Sequence, residues 1–349
     1  MTDLVLALDV GGTNTRTRIA ALTRGGERGA TATVRDDIVI QSTSASDLYA
    51  HVEDTVRETR TYGQVTAAAV AVAGPVVRSR SRLTNWHSDD ALVELGALES
   101  AGLPAGRTHL VNDVVAGAWG ALARLDSPAH AQGIRTLSGA GKTAGEPGLA
   151  DGSLVYLAPG TGLGAAALIR HGEGPLGATA VGCESQHTRM PRFDEETART
   201  VEVIERALGR PPSWEDLVSG RGLVHIYEAS CALASAEPLV IGGDDAKRAG
   251  AIAAKALASE DDRAATAVGI FYRTLARFAQ TLALSYLPCA AVVFGGASTE
   301  RNLPLVRESG LTVTFAEHER FADLLGSLPL YAVGGEVNLE GGVWLAARS

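Results

Sequence analysis

Two runs of residues carry the most suggestive chemistry in the chain: Asp9-Val10-Gly11-Gly12-Thr13-Asn14-Thr15-Arg16 and Ala158-Pro159-Gly160-Thr161-Gly162-Leu163-Gly164. Glycine lets a backbone approach an anion closely, and successive N–H groups form a concave nest for phosphate oxygens. Thr13, Asn14 and Thr161 add side-chain donors. Asp9 suits a magnesium ion carried by phosphates and held through water. Either run alone passes equally as an ordinary hairpin turn. Two of them, separated by about 150 residues, fit two lobes gripping one triphosphate.

Asn112-Asp113 is the third feature. It follows an apolar stretch and precedes a helical pattern, so the carboxylate stands beyond the carboxyl end of a strand, where α/β sheets gather their active sites. In phosphoryl transfer one carboxylate accepts the proton of the attacking hydroxyl. Capping the following helix is an equally good role for Asp113. Glu184-Ser185-Gln186-His187, with Glu215 further on, offers carboxylates and an imidazole of the kind that pair with vicinal hydroxyls. An E-x-x-H also describes a solvated surface pair or half of a metal site. No second His stands four residues on, and the eight histidines form no zinc-like cluster, so metal ligation there is not expected. Val292–Ser298 runs an apolar stretch into Gly295-Gly296, where a flat ring such as adenosine can lie on the backbone; a plain strand-to-helix turn reads the same way. Ser138-Gly139-Ala140-Gly141-Lys142-Thr143 imitates the end of a Walker loop. The motif needs glycine at position 136, which is Thr136, and neither a buried strand nor a clear helix is expected around it.

The elements that must position these groups are legible in the apolar pattern. Leu4–Val10 and Thr15–Leu22 read as strands around a glycine turn. A helix is expected from about Ser46, its cap, to Arg60. Strands follow at Val65–Ala73 and His109–Val111, then a helix from Val114 to Leu125. Asp126–Gly152, rich in Gly, Ala, Ser and Pro, reads as a surface excursion or loose hairpin. Leu154–Leu157, the turn Ala158–Gly162 and Leu163–Ile169 repeat the N-terminal strand–turn–strand unit. Beyond Asp194 the chain reads as mostly helical, with its clearest helix over Ala264–Leu287, where Val268, Phe271, Leu275, Phe278 and Leu282 share one stripe. Strands at Ala291–Phe294 and Leu328–Val333 and a last helix from about Leu339 complete the pattern. Two strand-rich halves, each opened by a glycine hairpin, predict a two-lobed α/β protein with a cleft between the lobes.

Bulk composition bounds the partners. A chain of 349 residues, 46% apolar, supports one large or two moderate domains. A formal charge of -9 without a basic stripe argues against nucleic acid. Cys183, Cys231 and Cys289 are odd in number, widely spaced and without a CxxC pair, as in a reducing compartment. No run has the length of a membrane span and no basic leader precedes the first strand, so a cytoplasmic location is expected.

Taken in order, these pieces resemble the bacterial glucokinase family, within the sugar kinase, actin and heat-shock ATPase superfamily, from Leu4 to about Leu345. D-V-G-G-T-N at Asp9–Asn14 is similar to the family's first phosphate motif, and A-P-G-T-G-L-G at Ala158–Gly164 to its second. V-N-D at Val111–Asp113 resembles the segment bearing a sugar-binding Asn and the catalytic Asp. Thr84-Asn85-Trp86 resembles a sugar-side loop, and Glu215–Leu223 the segment whose leading Glu binds sugar.

The resemblance implies an actin-like, ribonuclease-H-like fold whose small and large domains close over glucose and MgATP. The small domain would be 1–122, completed by 334–349, and the large one 123–333. Asn85, Asn112, Glu184, His187 and Glu215 would hold the sugar, and Asp113 would deprotonate its 6-hydroxyl. Asp9, Gly11, Gly12, Thr13, Asn14, Gly160, Thr161, Gly162, Gly295 and Gly296 would hold the nucleotide, with Asp9 on Mg²⁺. A homodimer is implied, with no nucleic-acid or membrane partner. One departure falls in the sugar site: the family's G-E-G-G-H has Ser185 and Gln186 in place of its two middle glycines. Two added polar side chains leave an amino-hexose, such as a 3-amino-glucose, as the alternative substrate. A non-catalytic or regulatory relative is the third reading. A transcriptional regulator of this fold carries a helix-turn-helix ahead of the first phosphate motif, and only eight residues precede Asp9.

Overall fold

The computed structural model describes residues 2–23, 31–83, 85–126, 133–138, 152–171 and 177–348. In chain order the strands are β1 (Asp3–Val10), β2 (Asn14–Leu22), β3 (Thr31–Gln41), β4 (Gln64–Val72), β5 (Arg80–Arg82), β6 (Leu92–Glu94), β7 (Thr108–Asn112), β8 (Ile134–Ser138), β9 (Ser153–Pro159), β10 (Leu163–Arg170), β11 (Ala178–Cys183), β12 (Cys289–Phe294) and β13 (Leu330–Val333). The helices are α1 (Ala45–Thr59), α2 (Leu95–Ser100), α3 (Asp113–Asp126), α4 (Glu195–Leu208), α5 (Trp214–Leu217), α6 (Gly220–Leu233), α7 (Asp245–Leu257), α8 (Asp262–Ser285), α9 (Ala297–Arg301), α10 (Leu303–Glu308), α11 (Leu311–Ala316), α12 (Ala322–Ser327) and α13 (Val337–Ala347).

Two sheets repeat one plan. The first has the order β3-β2-β1-β4-β7, and the second β11-β10-β9-β12-β13 with β8 added at its edge. In the first, β1 pairs antiparallel with β2 and parallel with β4, and β4 runs parallel to β7. In the second, β12 lies parallel to both β9 and β13, while β8 is antiparallel to β13. The strand–turn–strand repeat read from the sequence is thus the opening of a longer duplication. The chain divides into one compact unit of Met1–His130, Ala167–Gly182 and Glu336–Ser349, and another of Ala131–Ala166 and Cys183–Gly335.

β1 is apolar without alternation because both its faces are covered. Leu4, Leu6 and Leu8 join Leu48 and Val52 of α1 in one cluster, and Gly342 of α13 lies against Ala7 on the other side. α3 is buried from Val115 to Leu125. It meets α13 through glycines, since a Cβ on Gly341 would stand 1.8 Å from the Ala116 carbonyl and one on Gly120 2.0 Å from that of Val337. Trp119 stacks on Trp344 at 4.8 Å, and Arg124 forms a two-pronged pair with Glu340 at 2.7 Å. In the second unit Phe278, Phe294, Trp214 and Phe315 anchor a core shared by α8, β12, α5 and α11.

Four local readings change. α1 is capped by Ser44, whose hydroxyl accepts from the Asp47 N–H at 3.1 Å, while Ser46 already lies inside the helix. α8 spans Asp262–Ser285 and begins at the Asp261 cap. The excursion expected over Asp126–Gly152 contains β8, and α3 extends to Asp126; 127–132 and 139–151 lie outside the described residues. β8 does lead into Ser138 of the Walker-like run, but as an edge strand with only Ile134 buried. β3 was not anticipated: its residues are largely exposed and it pairs on one side only, so no apolar pattern marks it.

Candidate active site

In the first unit, β1 delivers Asp9 to its carboxyl end opposite Arg16 of β2. The turn between them is closed by the Gly11 N–H donating to the Asn14 carbonyl at 2.9 Å. Its tip is tied to the chain after β3, where the Ser42 N–H donates to the Thr13 carbonyl at 3.2 Å. Thr13 and Asn14 are exposed, with their side chains pointing to one another at 3.4 Å. Gly12 must be glycine for a local reason: a Cβ there would lie 2.9 Å from the Cβ of Asn85. Asn85 therefore packs on the Gly11–Asn14 turn. Its neighbour Trp86 is buried, and Thr84 lies outside the described residues.

Burial raises the pKa of Asp9; an Asn338 hydrogen bond and the Arg16 charge oppose that shift, and Glu336 adds to it. Such a carboxylate fits beside a cation, which restores its charge. Among the described residues no three acidic, His or Cys side chains converge as a metal cage. A fitting cation is therefore one already carried by a triphosphate, which needs only one or two protein carboxylates. Asn338 reaches Asp9 Oδ1 at 3.5 Å. Sequence reading missed it because 329 positions separate the pair and no local motif marks Asn338.

At the end of β7, Asn112 donates from Nδ2 to the Gly74 carbonyl at 3.0 Å and accepts the Val114 N–H on Oδ1 at 2.9 Å. The second bond places an Asn112 oxygen on the first turn of α3, a capping contact that Asp113 shares. Asp113 is the first residue of α3, and its Oδ1 also accepts from the Val114 N–H at 2.9 Å. Helix burial and the Asn112 anchors hold this carboxylate at a fixed place beyond the sheet.

In the second unit the turn after β9 is closed by the Gly160 N–H donating to the Gly162 carbonyl at 2.7 Å, and the Gly160 carbonyl accepts the Gly220 N–H at the start of α6 at 2.8 Å. Glu215 lies on this turn: its Oε2 accepts the Leu163 N–H at 2.9 Å, and a Cβ on Gly162 would stand 2.7 Å from the same oxygen. One residue on, Asp216 fixes α5. It accepts from Arg210 Nη1 and Nη2 at 2.7 and 2.9 Å and forms a capping box with Ser213. Burial alone would raise its pKa, but the Arg210 guanidinium and the Ser213 N–H and hydroxyl hold it at about 2.

Because the folded value is depressed, this stabilisation is complete above the unfolded pKa of about 4. It is lost as pH falls through about 2. With Arg210 largely solvated, it is on the order of 1–2 kcal/mol. Denaturation midpoints of the protein and its Asp216→Asn variant are expected to converge as pH falls from 4 toward 2; a gap independent of pH over that range refutes the assignment.

A cavity of about 650 Å³ opens beside this turn, lined among others by Gly160, Thr161, Gly220, Gly296, Phe271 and Asn302. Its apolar walls come from α7 and α8, and its polar end lies at the glycine turn, a fit for a nucleoside with phosphates. The Gly295-Gly296 pair, at the turn from β12 into α9, also answers a packing need. A Cβ on Gly295 would meet the Tyr156 hydroxyl at 2.0 Å, and one on Gly296, at φ +94°, the Pro159 carbonyl at 2.8 Å. The protein's own packing demands both glycines; only Gly296 lines the cavity.

Glu184 and His187 are exposed, 3.4 Å apart, at the ends of a single 3-10 turn. Gln186 is buried, and its Nε2 donates to Glu184 Oε2 at 2.8 Å. Since a carboxylate accepts, that bond fixes the amide orientation and leaves the buried Oε1 without a partner among the described residues. Ser185 is occupied by Cys183, whose thiol donates to its Oγ at 3.1 Å. Accepting one thiol bond leaves the Ser185 hydroxyl a second lone pair and its own O–H, so both polar substitutions read in the sequence keep hydrogen-bonding capacity, Gln186 through Oε1.

The first unit therefore gathers Asp9, Gly11, Gly12, Thr13, Asn14 and Asn85 at one strand end and sets Asn112 and Asp113 at another. The second gathers Gly160, Thr161, Gly162 and Glu215, with Gly296 on the adjoining cavity and Glu184 with His187 on a separate turn. A duplicated sheet of this order, headed each time by a glycine hairpin, defines an actin-like phosphotransferase fold. The family model described as Glucokinase matches residues 6–348, and the chain belongs to the glucokinase family. It is a sugar kinase. A glucokinase of Stenotrophomonas maltophilia (strain R551-3) is 29% identical over 332 residues, covering 94% of this chain and 90% of the relative. The fold matches the crystal structure of a Balamuthia mandrillaris glucokinase in complex with glucose, with a TM-score of 0.77, 24% identity and coverage of 99% and 94% of the two chains. It also matches a ROK family glucokinase from Streptomyces griseus in complex with glucose and AMPPNP, with a TM-score of 0.59 and 20% identity over 99% and 100%.

Proposed function

We propose that the protein transfers the γ-phosphoryl group of ATP to the 6-hydroxyl of a hexose, with glucose as the first candidate. The observation that carries this is the carboxylate of Asp113, held at the carboxyl end of β7 as the first residue of α3, where it shares the Val114 N–H with Asn112. Asp113 takes the proton of the 6-hydroxyl as its oxygen bonds to the γ-phosphorus; the bond to the β-phosphate oxygen breaks and ADP leaves. The proton then passes to solvent. Asn85, Asn112, Glu184, His187 and Glu215 orient the sugar through paired hydrogen bonds. The turns at Gly11–Asn14 and Gly160–Gly162, with Gly295 and Gly296 shaping the nucleoside side, cradle MgATP. Its Mg²⁺, facing Asp9, neutralises phosphate charge. Residues 1–122 with 334–349, and 123–333, would act as the two domains of a cytoplasmic homodimer.

A second reading, an amino-hexose 6-kinase, is favoured by one observation: Gln186 Oε1 is buried beside Glu184 with no hydrogen-bond partner among the described residues. An ammonium group supplies donors that both acceptors can use. Coupled ADP release over glucose, glucosamine, 3-amino-glucose, mannose and fructose decides between them. Glucose turnover with amino sugars at background supports the first reading, and the reverse order supports the second. No ADP above background with any sugar overturns both. The Ser185→Gly, Gln186→Gly double variant is expected to shift relative kcat/KM toward glucose; an unchanged ratio removes Gln186 from the specificity argument.

A further inference from the structure

The chain passes from the second compact unit to the first between Gly335 and Glu336, and this crossing is held on both sides. On one side the Gly335 N–H donates to Glu300 Oε2 at 3.0 Å. Gly334 beside it is buried, and a Cβ there would stand 1.9 Å from the same oxygen, so the carboxylate occupies the space of a side chain. Gly335, at φ +72°, adopts a conformation that favours glycine. On the other side, Glu336 pairs with Arg18 at 2.8 Å, and Asn338 reaches Asp9 at 3.5 Å.

Glu300 itself lies on α9, which follows Gly295-Gly296 directly. That helix is fastened to the nucleotide side twice: Thr299 Oγ1 donates to the Gly295 carbonyl at 2.8 Å, and Ser298 Oγ to the Pro159 carbonyl at 2.9 Å. Pro159 immediately precedes the second phosphate turn. Four consecutive residues, 335–338, therefore run from the glycine that Glu300 holds to the amide on the Asp9 carboxylate.

We infer that Glu300 is a positioning residue for nucleotide use: by bracing Gly335 it sets the crossing segment, and through Asn338 the carboxylate of Asp9. The inference rests on the reading that Asp9 and the Gly160–Gly162 turn serve MgATP. Glu300 is exposed, so its contribution is one of geometry more than of charge. No contact between Glu300 and a substrate is required.

The test is steady-state kinetics of the full-length protein with its best sugar, for Glu300→Ala and Glu300→Gln. The alanine variant is expected to lose about three- to tenfold in kcat/KM for ATP, the range seen when a residue acts through others. The glutamine variant keeps an acceptor oxygen and is expected to recover to within about twofold of the parent. Sugar affinity without nucleotide and the melting temperature are expected to stay put in both, which a merely structural loss would not allow. Hydrogen exchange adds a direct readout: a non-hydrolysable ATP analogue should protect the 335–338 amides in the parent and fail to in Glu300→Ala. Unchanged ATP kinetics in Glu300→Ala, no recovery in Glu300→Gln, or a loss that tracks melting temperature overturns the brace. Asp9→Asn separates the two layers. If it leaves ATP use unchanged, the nucleotide reading of Asp9 falls; if it alone is impaired, only the role of Glu300 does.

Discussion

Replacing Asp113 by Asn is expected to lower kcat by roughly 10²-fold or more, the scale of losing a general base. The substitution is nearly isosteric and keeps an oxygen that can accept the Val114 N–H. Asn112 donates no less to Gly74 and caps α3 as before. Folding and sugar affinity should therefore survive while proton acceptance is lost. Coupled ADP release measures the first effect, and a thermal melt with a sugar titration measures the others. Asp113→Ala should lose turnover alike, with Asn112 still accepting the Val114 N–H. Near-normal turnover in either variant would falsify the catalytic assignment and leave Asp113 as a helix-terminal residue.

The second large effect is on stability. Gly341→Ala places a Cβ 1.8 Å from the Ala116 carbonyl and 2.6 Å from the Gly120 amide nitrogen. Both are backbone atoms of a buried helix, so no side-chain rotation relieves the clash and α13 must move off α3. The expected cost is about 3 kcal/mol or more, a fall of roughly 5–10 °C in melting temperature. Because α3 carries Asp113 at its first turn, activity should fall with it. Gly96→Ala is the matched control: nothing lies within 4 Å of its Cβ position, so its melting temperature should hold or rise slightly. Equal melting temperatures for the two variants would refute the close helix crossing.

Much of this arrangement is written locally. The turns at Gly11 and Gly160 are legible because glycine at the end of an apolar strand has few other uses, and Asn112-Asp113 because a strand and a helix meet there. What stays hidden depends on pairings far apart in sequence. β8 escapes notice since a partner on one side, not its own composition, makes it a strand. The need for glycine at 295 comes from Tyr156, well over a hundred residues away. Gln186 reads as an added polar group of the sugar site, and only burial shows its amide committed to Glu184. Similarly, no spacing rule connects Asn338 to Asp9, which meet only when the chain's two ends share one unit.

That last pairing bears on the order in which the protein is made. β1 is synthesised long before α13, yet Gly342 lies on Ala7 and Asn338 on Asp9. At roughly 5–20 residues per second, the N-terminal strand waits many seconds for the helix that covers it. The second unit, whose last residue is Gly335, can complete its own core before the first is closed. Synthesis interrupted ahead of α13 leaves β1 uncovered and Asp9 without its amide, so an interrupted product has a bare apolar sheet face and is a natural substrate for chaperones and proteases.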